Sequence, residues 1–315
     1  MESSQIWTEK YRPSTFEEVV GQKEIVKRIK ALVETKNIPH MMFSGPAGIG
    51  KTTCAIIIAK QLHKNNWRNN FLELNASDQR GIDTIRTQVK DFAKTMGIEA
   101  DSPKIILLDE ADALTKEAQQ ALRRTMETYS NSCRFILSCN ISSKIIDPIK
   151  SRCAIFKFKP LAGEDIEEII LRTAKKEGLN IDKETINLLY THCGGDVRQL
   201  QNILQSTSST TKEINKNALQ EFLTSVESKD IEEILNLAIN KNFLEARKRL
   251  LDTMLNHGLS GLDIVKQIQR ETMNLKIDET KKLNIIEKCG EIEFRLVEGS
   301  DDFIQLEALL AFITK

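Results

Sequence analysis

The first 160 residues carry short, largely apolar, strand-like runs at 40–44, 71–74, 104–108, 134–138 and 154–158. Runs of this length read as strands, and the stretch 53–62 between the first two reads as a helix. Alternating strand and helix predicts a parallel sheet covered on both faces, with ligands bound at the carboxyl ends of its strands. All six prolines fall in this half. Beyond Pro160 the period becomes helical. Ile166, Ile169, Ile170 and Ala174 share one face, Val197, Leu200, Ile203 and Leu204 another, and Asp182 and Asp196 stand as N-caps. The hydroxyl-rich stretch 206–211 reads as a loop. Further amphipathic stretches run through 231–239, 243–256, 262–275, 282–298 and 302–314, broken at Gly258, Gly261 and Gly299. The expected organisation is an α/β domain with a parallel sheet at 1–160, a small helical domain at 161–227 and an all-helical domain at 228–315.

The segment Gly45-Pro46-Ala47-Gly48-Ile49-Gly50-Lys51-Thr52 fits G-x-x-x-x-G-K-[ST], and it stands where that pattern works, between a strand and a helix. Amides of such a loop and of the first helical turn, Thr53 included, point at phosphates. Lys51 adds charge against the terminal phosphates, and the Thr52 hydroxyl is an oxygen ligand for Mg2+. A turn that binds nothing has no use for Lys followed by Thr. The second half of a nucleotide site appears at Lys104-Ile105-Ile106-Leu107-Leu108-Asp109-Glu110-Ala111-Asp112, where a buried strand ends abruptly in acid. Asp109 is expected to hold Mg2+ through water and Glu110 to polarise the attacking water. The plainer alternative is an acidic turn after a core strand.

Composition narrows the setting. With 315 residues, 40% hydrophobic and 29% charged, the chain has the make-up of an ordinary soluble protein of two or three domains. No run approaches the roughly 20 apolar residues that cross a bilayer. The residues from Met1 to Gln5 lack an export signal, so the protein is expected to stay where it is made. The six cysteines form no C-x-x-C pair and the four histidines are scattered, which points to a reducing compartment and away from zinc. Net charge is zero, yet residues 1–160 carry 25 Lys/Arg against 18 Asp/Glu while residues 161–315 carry 20 against 27. A basic first half is compatible with a polyanion partner.

Several further segments occur together and in order: Trp7-Thr8-Glu9-Lys10-Tyr11-Arg12-Pro13, Val20-Gly21-Gln22, Asn75-Ala76-Ser77-Asp78, Arg80-Gly81-Ile82-Asp83, Leu122-Arg123-Arg124-Thr125-Met126-Glu127, Ser151-Arg152-Cys153 and Gly195-Asp196-Val197-Arg198. With the two nucleotide motifs they make the chain similar to the small subunits of replication factor C, the sliding-clamp loader of archaea and eukaryotes within the AAA+ ATPases. The resemblance spans residues 7–205 and weakens through the helical C-terminus. It implies a RecA-like AAA+ P-loop domain, a helical lid and a helical oligomerisation collar, with ATP and Mg2+ as cofactors.

The resemblance also implies roles for single residues. Thr8 and Val20 fall where such proteins enclose the adenine and its sugar. Asn140, ending the run 135–139, matches the polar sensor that helps position the hydrolytic water. Arg198 matches the second sensor, an arginine of the following domain that folds over the γ-phosphate. In similar proteins the Ser-Arg-Cys arginine, here Arg152, reaches into the neighbouring subunit's site as a finger. On residue type alone, Arg152 reads as a surface ion-pair residue. Arg80, Arg86 and Lys90 lie in the region with which such loaders track duplex DNA, the last two spaced to share one helical face. Phe92, Met96 and Ile98 either touch the clamp or pack in the core. Ala47 and Ile49 depart from the family's frequent Pro and Thr at positions that contribute backbone amides, and Gln199 from a frequent basic residue.

The implied function is ATP-driven opening of the sliding clamp (PCNA) and its loading onto primer–template DNA during replication. The implied setting is a hetero-oligomer with large and small replication factor C subunits and no membrane, at the nucleoid of an archaeal cytoplasm or in a eukaryotic nucleus. Two other readings stand beside it. One is a nucleotide-binding scaffold subunit with little turnover, against which the intact Lys51, Asp109 and Glu110 argue. The other is an AAA+ helicase or branch-migration motor.

Overall fold

The computed structural model describes residues 6–78, 83, 85–95, 102–216, 218–219, 228–257 and 259–315, which divide into two compact units, Met1–Lys216 and Asn217–Lys315. In the first unit, five parallel strands, β1 (His40–Ser44), β2 (Phe71–Asn75), β3 (Lys104–Asp109), β4 (Cys133–Cys139) and β5 (Cys153–Lys157), lie in the order β2-β3-β4-β1-β5. All five expected runs are strands, with ends displaced by no more than one residue. Met42 of β1 and Leu108 of β3 both pair with Leu137 of β4, so the three strands that carry the nucleotide motifs finish level with one another.

Burial on both faces explains the apolar runs of the central strands β1, β3 and β4. Met42, Ile106, Leu108, Phe135 and Leu137 turn to one side, where they join Leu122 and Met126 of helix Lys116–Thr128. Helix Lys51–His63, with Ile57 and Ile58 fully buried, packs against β3, β4 and helix Lys23–Glu34. Truncating one of these large side chains to Ala would cost about 2–5 kcal/mol. One buried amide stitches the loops at the strand ends. Gln119 donates to the carbonyls of Leu114 (3.1 Å) and Lys144 (3.0 Å) and accepts from the Ile146 amide (2.9 Å).

Helices Gly163–Glu177, Lys183–Cys193 and Val197–Ser208 complete the first unit, beside a two-residue parallel pairing of Asn180–Ile181 with Glu213–Ile214. Asp182 and Asp196 are N-caps as expected: Asp182 accepts from the Thr185 amide (2.7 Å), Asp196 from those of Arg198 (2.8 Å) and Gln199 (3.0 Å). The stretch 206–211 differs from the expected loop, since its first three residues still belong to helix Val197–Ser208. The hydroxyls of Thr207 and Ser208 return to the carbonyls of Ile203 (2.9 Å) and Gln205 (2.8 Å), which satisfies them inside the helix.

The second unit consists, among the described residues, of helices Ser228–Ile239, Phe243–His257, Gly261–Thr272, Glu279–Val297 and Asp302–Thr314. They surround an apolar core that includes Ile234, Leu250, Ile268, Ile292 and Leu310. Gly261, expected as a break, is instead the first residue of its helix. Its amide donates to Asp302 Oδ2 at 2.6 Å, and a Cβ there would meet that carboxyl's Cγ at 2.8 Å. The expected boundary near 227 and Gly258 lie outside the described residues.

Candidate functional site

β1 ends at Ser44, and the chain then turns through Gly45, Gly48 and Gly50 at φ +149°, +70° and +96° before entering helix Lys51–His63. Two of these glycines also answer to crowding. A Cβ on Gly45 would stand 2.4 Å from the Phe158 carbonyl oxygen, and one on Gly48 would stand 1.7 Å from Asp196 Oδ1. The Gly45 amide donates to the Cys139 carbonyl (3.2 Å), tying the loop's start to the end of β4. The Gly48 carbonyl accepts from the Val197 amide (3.0 Å), tying its middle to the helix that carries Arg198.

Lys51 is only 6% exposed. Its ammonium donates to the carbonyls of Gly45 (2.7 Å) and Pro46 (2.6 Å) and to Asn140 Oδ1 (2.9 Å). Burial pushes the Lys51 pKa below the ordinary lysine value, and the Asp109 carboxylate opposes that shift. The Thr52 hydroxyl donates to Asp109 Oδ2. A hydroxyl and a carboxylate in contact are a hard-oxygen pair of the kind Mg2+ prefers, so these residues fit that ion. Glu110 follows with φ +52°, a left-handed turn that ends β3 abruptly and leaves its carboxylate exposed at the cleft.

Asp112, for which sequence reasoning assigned no role, accepts from the amides of Asn140 (3.3 Å) and Ile141 (3.1 Å). The acidic turn after β3 therefore holds the end of β4 in place. The signal was the third carboxylate of the run Asp109-Glu110-Ala111-Asp112, but its partners lie far along the chain.

These groups open on one cleft of about 790 Å³, a volume suited to a small-molecule ligand. Its walls include Thr8, Val20, residues 47–53, Asp109, Glu110, Asn140 and Arg198. Gly45 and Pro46 stand behind the wall and hold Lys51. The N-terminal segment closes one side. The Trp7 amide donates to Gln205 Oε1 (2.9 Å), Lys10 pairs with Glu177 (2.6 Å), and the Tyr11 hydroxyl donates to the same carboxylate. These contacts, also unforeseen in the sequence, fasten the segment to helices Gly163–Glu177 and Val197–Ser208.

Arg152 does not line this cleft. It pairs with Glu127 at 2.5 Å and donates to the Pro148 carbonyl at 2.7 Å, at the strand edge beyond β1. Lys90 is exposed. Arg80 and the side chain of Arg86 lie outside the described residues, as do Met96 and Ile98. Phe92 packs against the core under β3, with the Lys104 ammonium over its ring at 4.3 Å. Burial pushes the Cys139 and Cys289 thiols up to about 11, and those of Cys54, Cys153 and Cys193 up to about 12, so all five stay protonated at neutral pH. Among the described residues, no helix is long and apolar enough to cross a membrane.

Residues 41–161 match the ATPase family associated with various cellular activities (AAA), and residues 226–312 match the replication factor C C-terminal domain. The replication factor C small subunit of Methanococcus vannielii is 50% identical over 97% of this chain and 97% of its own. That of Archaeoglobus fulgidus is 48% identical over 100% and 98%, and that of Sulfolobus acidocaldarius 47% over 99% and 96%. Among solved structures, the Thermotoga maritima RuvB Holliday junction branch migration motor superposes with a TM-score of 0.58 at 20% identity, covering 73% of this chain and 79% of that one. At that identity the likeness concerns the fold alone.

Proposed function

The chain belongs to the replication factor C small subunits, and from that premise we propose how its own residues serve ATP-driven loading of a sliding clamp onto primed DNA. It is an AAA ATPase, and the full-length relatives favour the loader over a branch-migration motor. The observation that carries the residue assignment is convergence. Lys51 and Thr52, at the start of the helix after β1, meet Asn140 and Asp109 from the ends of the adjacent strands β4 and β3. Lys51 touches Asn140 and Thr52 touches Asp109 in a single cleft.

In this reading the loop 45–52 cradles the triphosphate of ATP, and Lys51 exchanges its main-chain carbonyls for the terminal phosphates. Thr52 and Asp109 would hold Mg2+, which supplies charge neutralisation at the phosphates. Glu110 polarises the attacking water and Asn140 orients it, with its backbone fixed by Asp112. Arg198 leans on the γ-phosphate from the first turn of its helix, and the Gly48–Val197 hydrogen bond links that movement to the loop. Arg152, outside its own cleft, is supplied to a neighbouring subunit's ATP. The intact Lys51, Asp109 and Glu110 argue for turnover rather than a silent scaffold.

The partners follow as part of the same proposal: large and small replication factor C subunits, the clamp (PCNA) and primer–template DNA. Arg80, Arg86 and Lys90 would contact the phosphate backbone, giving affinity without sequence preference. The second unit serves assembly, and its helix Glu279–Val297 leaves Leu283 and Phe294 well exposed for that purpose. With archaeal relatives, the same reading puts the work in the cytoplasm and, as part of the proposal, at the nucleoid. The test is ATP turnover of the complete complex: it should rise when clamp and primed DNA are added together, and turnover indifferent to both would sink the proposal.

A further inference from the structure

Helix Val197–Ser208 presents three polar side chains along one face at i, i+3 and i+7: Arg198, Gln201 and Gln205. The first lines the phosphate end of the cleft, and the third accepts the Trp7 amide of the N-terminal segment. Gln201 lies between them, roughly 4.5 Å along the axis from Arg198 at the helical rise per residue. It too lines the cleft, where Leu161, Ile169 and Val197 supply apolar wall. It is 3% exposed, and its neighbour across the helix pair, Thr173, is 2% exposed. Gln201 Nε2 donates to Thr173 Oγ1 at 3.1 Å. Its Oε1 is buried and meets no donor among the described residues.

A buried carbonyl oxygen without a donor is costly to keep, and native proteins keep few. Nε2 is anchored by Thr173, which leaves Oε1 as the amide's wholly unpartnered atom, on a residue that lines the cleft beside apolar wall about one turn along the helix from Arg198. We propose that Gln201 is a base-specificity residue whose Oε1 accepts a hydrogen from the 6-amino group of adenine. The inference rests on the reading of the cleft as the nucleoside triphosphate site. Guanine and hypoxanthine carry an oxo group at that position, so acceptor would face acceptor. A site built around such a hydrogen bond rejects ligands lacking the donor far more strongly than apolar packing does. An amide reading an adenine amino group is also the pairing that serves in the DNA major groove.

The test is displacement of a ribose-labelled fluorescent ADP from the full-length chain by three competitors: ATP, purine riboside triphosphate, which lacks the 6-amino group, and inosine triphosphate, which carries a 6-oxo group. The wild-type chain should prefer ATP over the purine analogue by about tenfold and over the inosine nucleotide by more. Gln201→Leu should shrink the first preference to within about twofold while leaving the affinity for the purine analogue unchanged. Equal wild-type affinity for ATP and the purine analogue would overturn the proposal without any variant needing to fold. A uniform loss for all three competitors in Gln201→Leu would also overturn it, since that marks packing. Failure of the wild-type chain to bind any of the three would instead overturn the reading of the cleft.

Discussion

Lys51 shows how one residue is held ready for a ligand. A buried ammonium is expensive unless it is solvated by the protein, and here two loop carbonyls and the Asn140 amide oxygen do so. In the proposed reading, incoming phosphates would replace those acceptors with stronger ones. Lys51→Ala should therefore weaken ATP binding by about 100-fold or more in nucleotide titrations, while Glu110→Gln should bind ATP normally and lose turnover by a similar factor, the mark of a group used only in the chemical step. His40 makes a different prediction. Its Nδ1 accepts the Phe135 amide at 3.1 Å across the sheet, and burial, with the Arg134 charge nearby, pushes its pKa from 6.5 down to about 4. The fold thus favours the neutral ring. Stability from this group is complete above about pH 6.5 and is lost as pH falls from there toward 4. His40→Asn keeps an acceptor that does not titrate, so its Tm should fall less than the wild type's between pH 7 and pH 4.5.

At the scale of elements, the junction of loop and helix matters most. Asp196 caps helix Val197–Ser208 and occupies the space over Gly48 that a Cβ would need. Asp196→Ala should cost about 1 kcal/mol through the lost cap. Gly48→Ala, at φ +70° and 1.7 Å from Asp196 Oδ1, should destabilise the unit and raise the KM for ATP together, measurable by melting and steady-state turnover. The central strands β1, β3 and β4 were legible in the sequence because burial on both faces makes them nearly continuous apolar runs. The edge strands β2 and β5 were legible as shorter apolar stretches broken by the exposed Glu73 and Lys157. Lys51, Thr52, Asp109 and Glu110 were legible because their spacing is local to one loop or one strand end. Asp112, Glu177 and Gln201 were not, because each is defined by a partner 28 or more residues away. The hydroxyls of Thr207 and Ser208 misled the other way: their composition suggests a loop, while their bonds to preceding carbonyls keep them helical.

At the scale of the molecule, the proposed ATP site draws on more than one chain. The chain's own cleft holds Arg198 but not Arg152, which waits beside Glu127 on another edge of the sheet. The central claim is that this arginine completes the ATP site of the next subunit. The direct test mixes two inactive variants, Lys51→Ala and Arg152→Ala, in the complete loader with clamp and primed DNA. Each alone should show turnover near background. If Arg152 acts across the boundary, a Lys51→Ala subunit lends its arginine to the intact nucleotide site of an adjacent Arg152→Ala subunit, and the mixture should recover a sizeable fraction of wild-type turnover. A mixture as inactive as its components, with assembly verified by mass, would contradict the account.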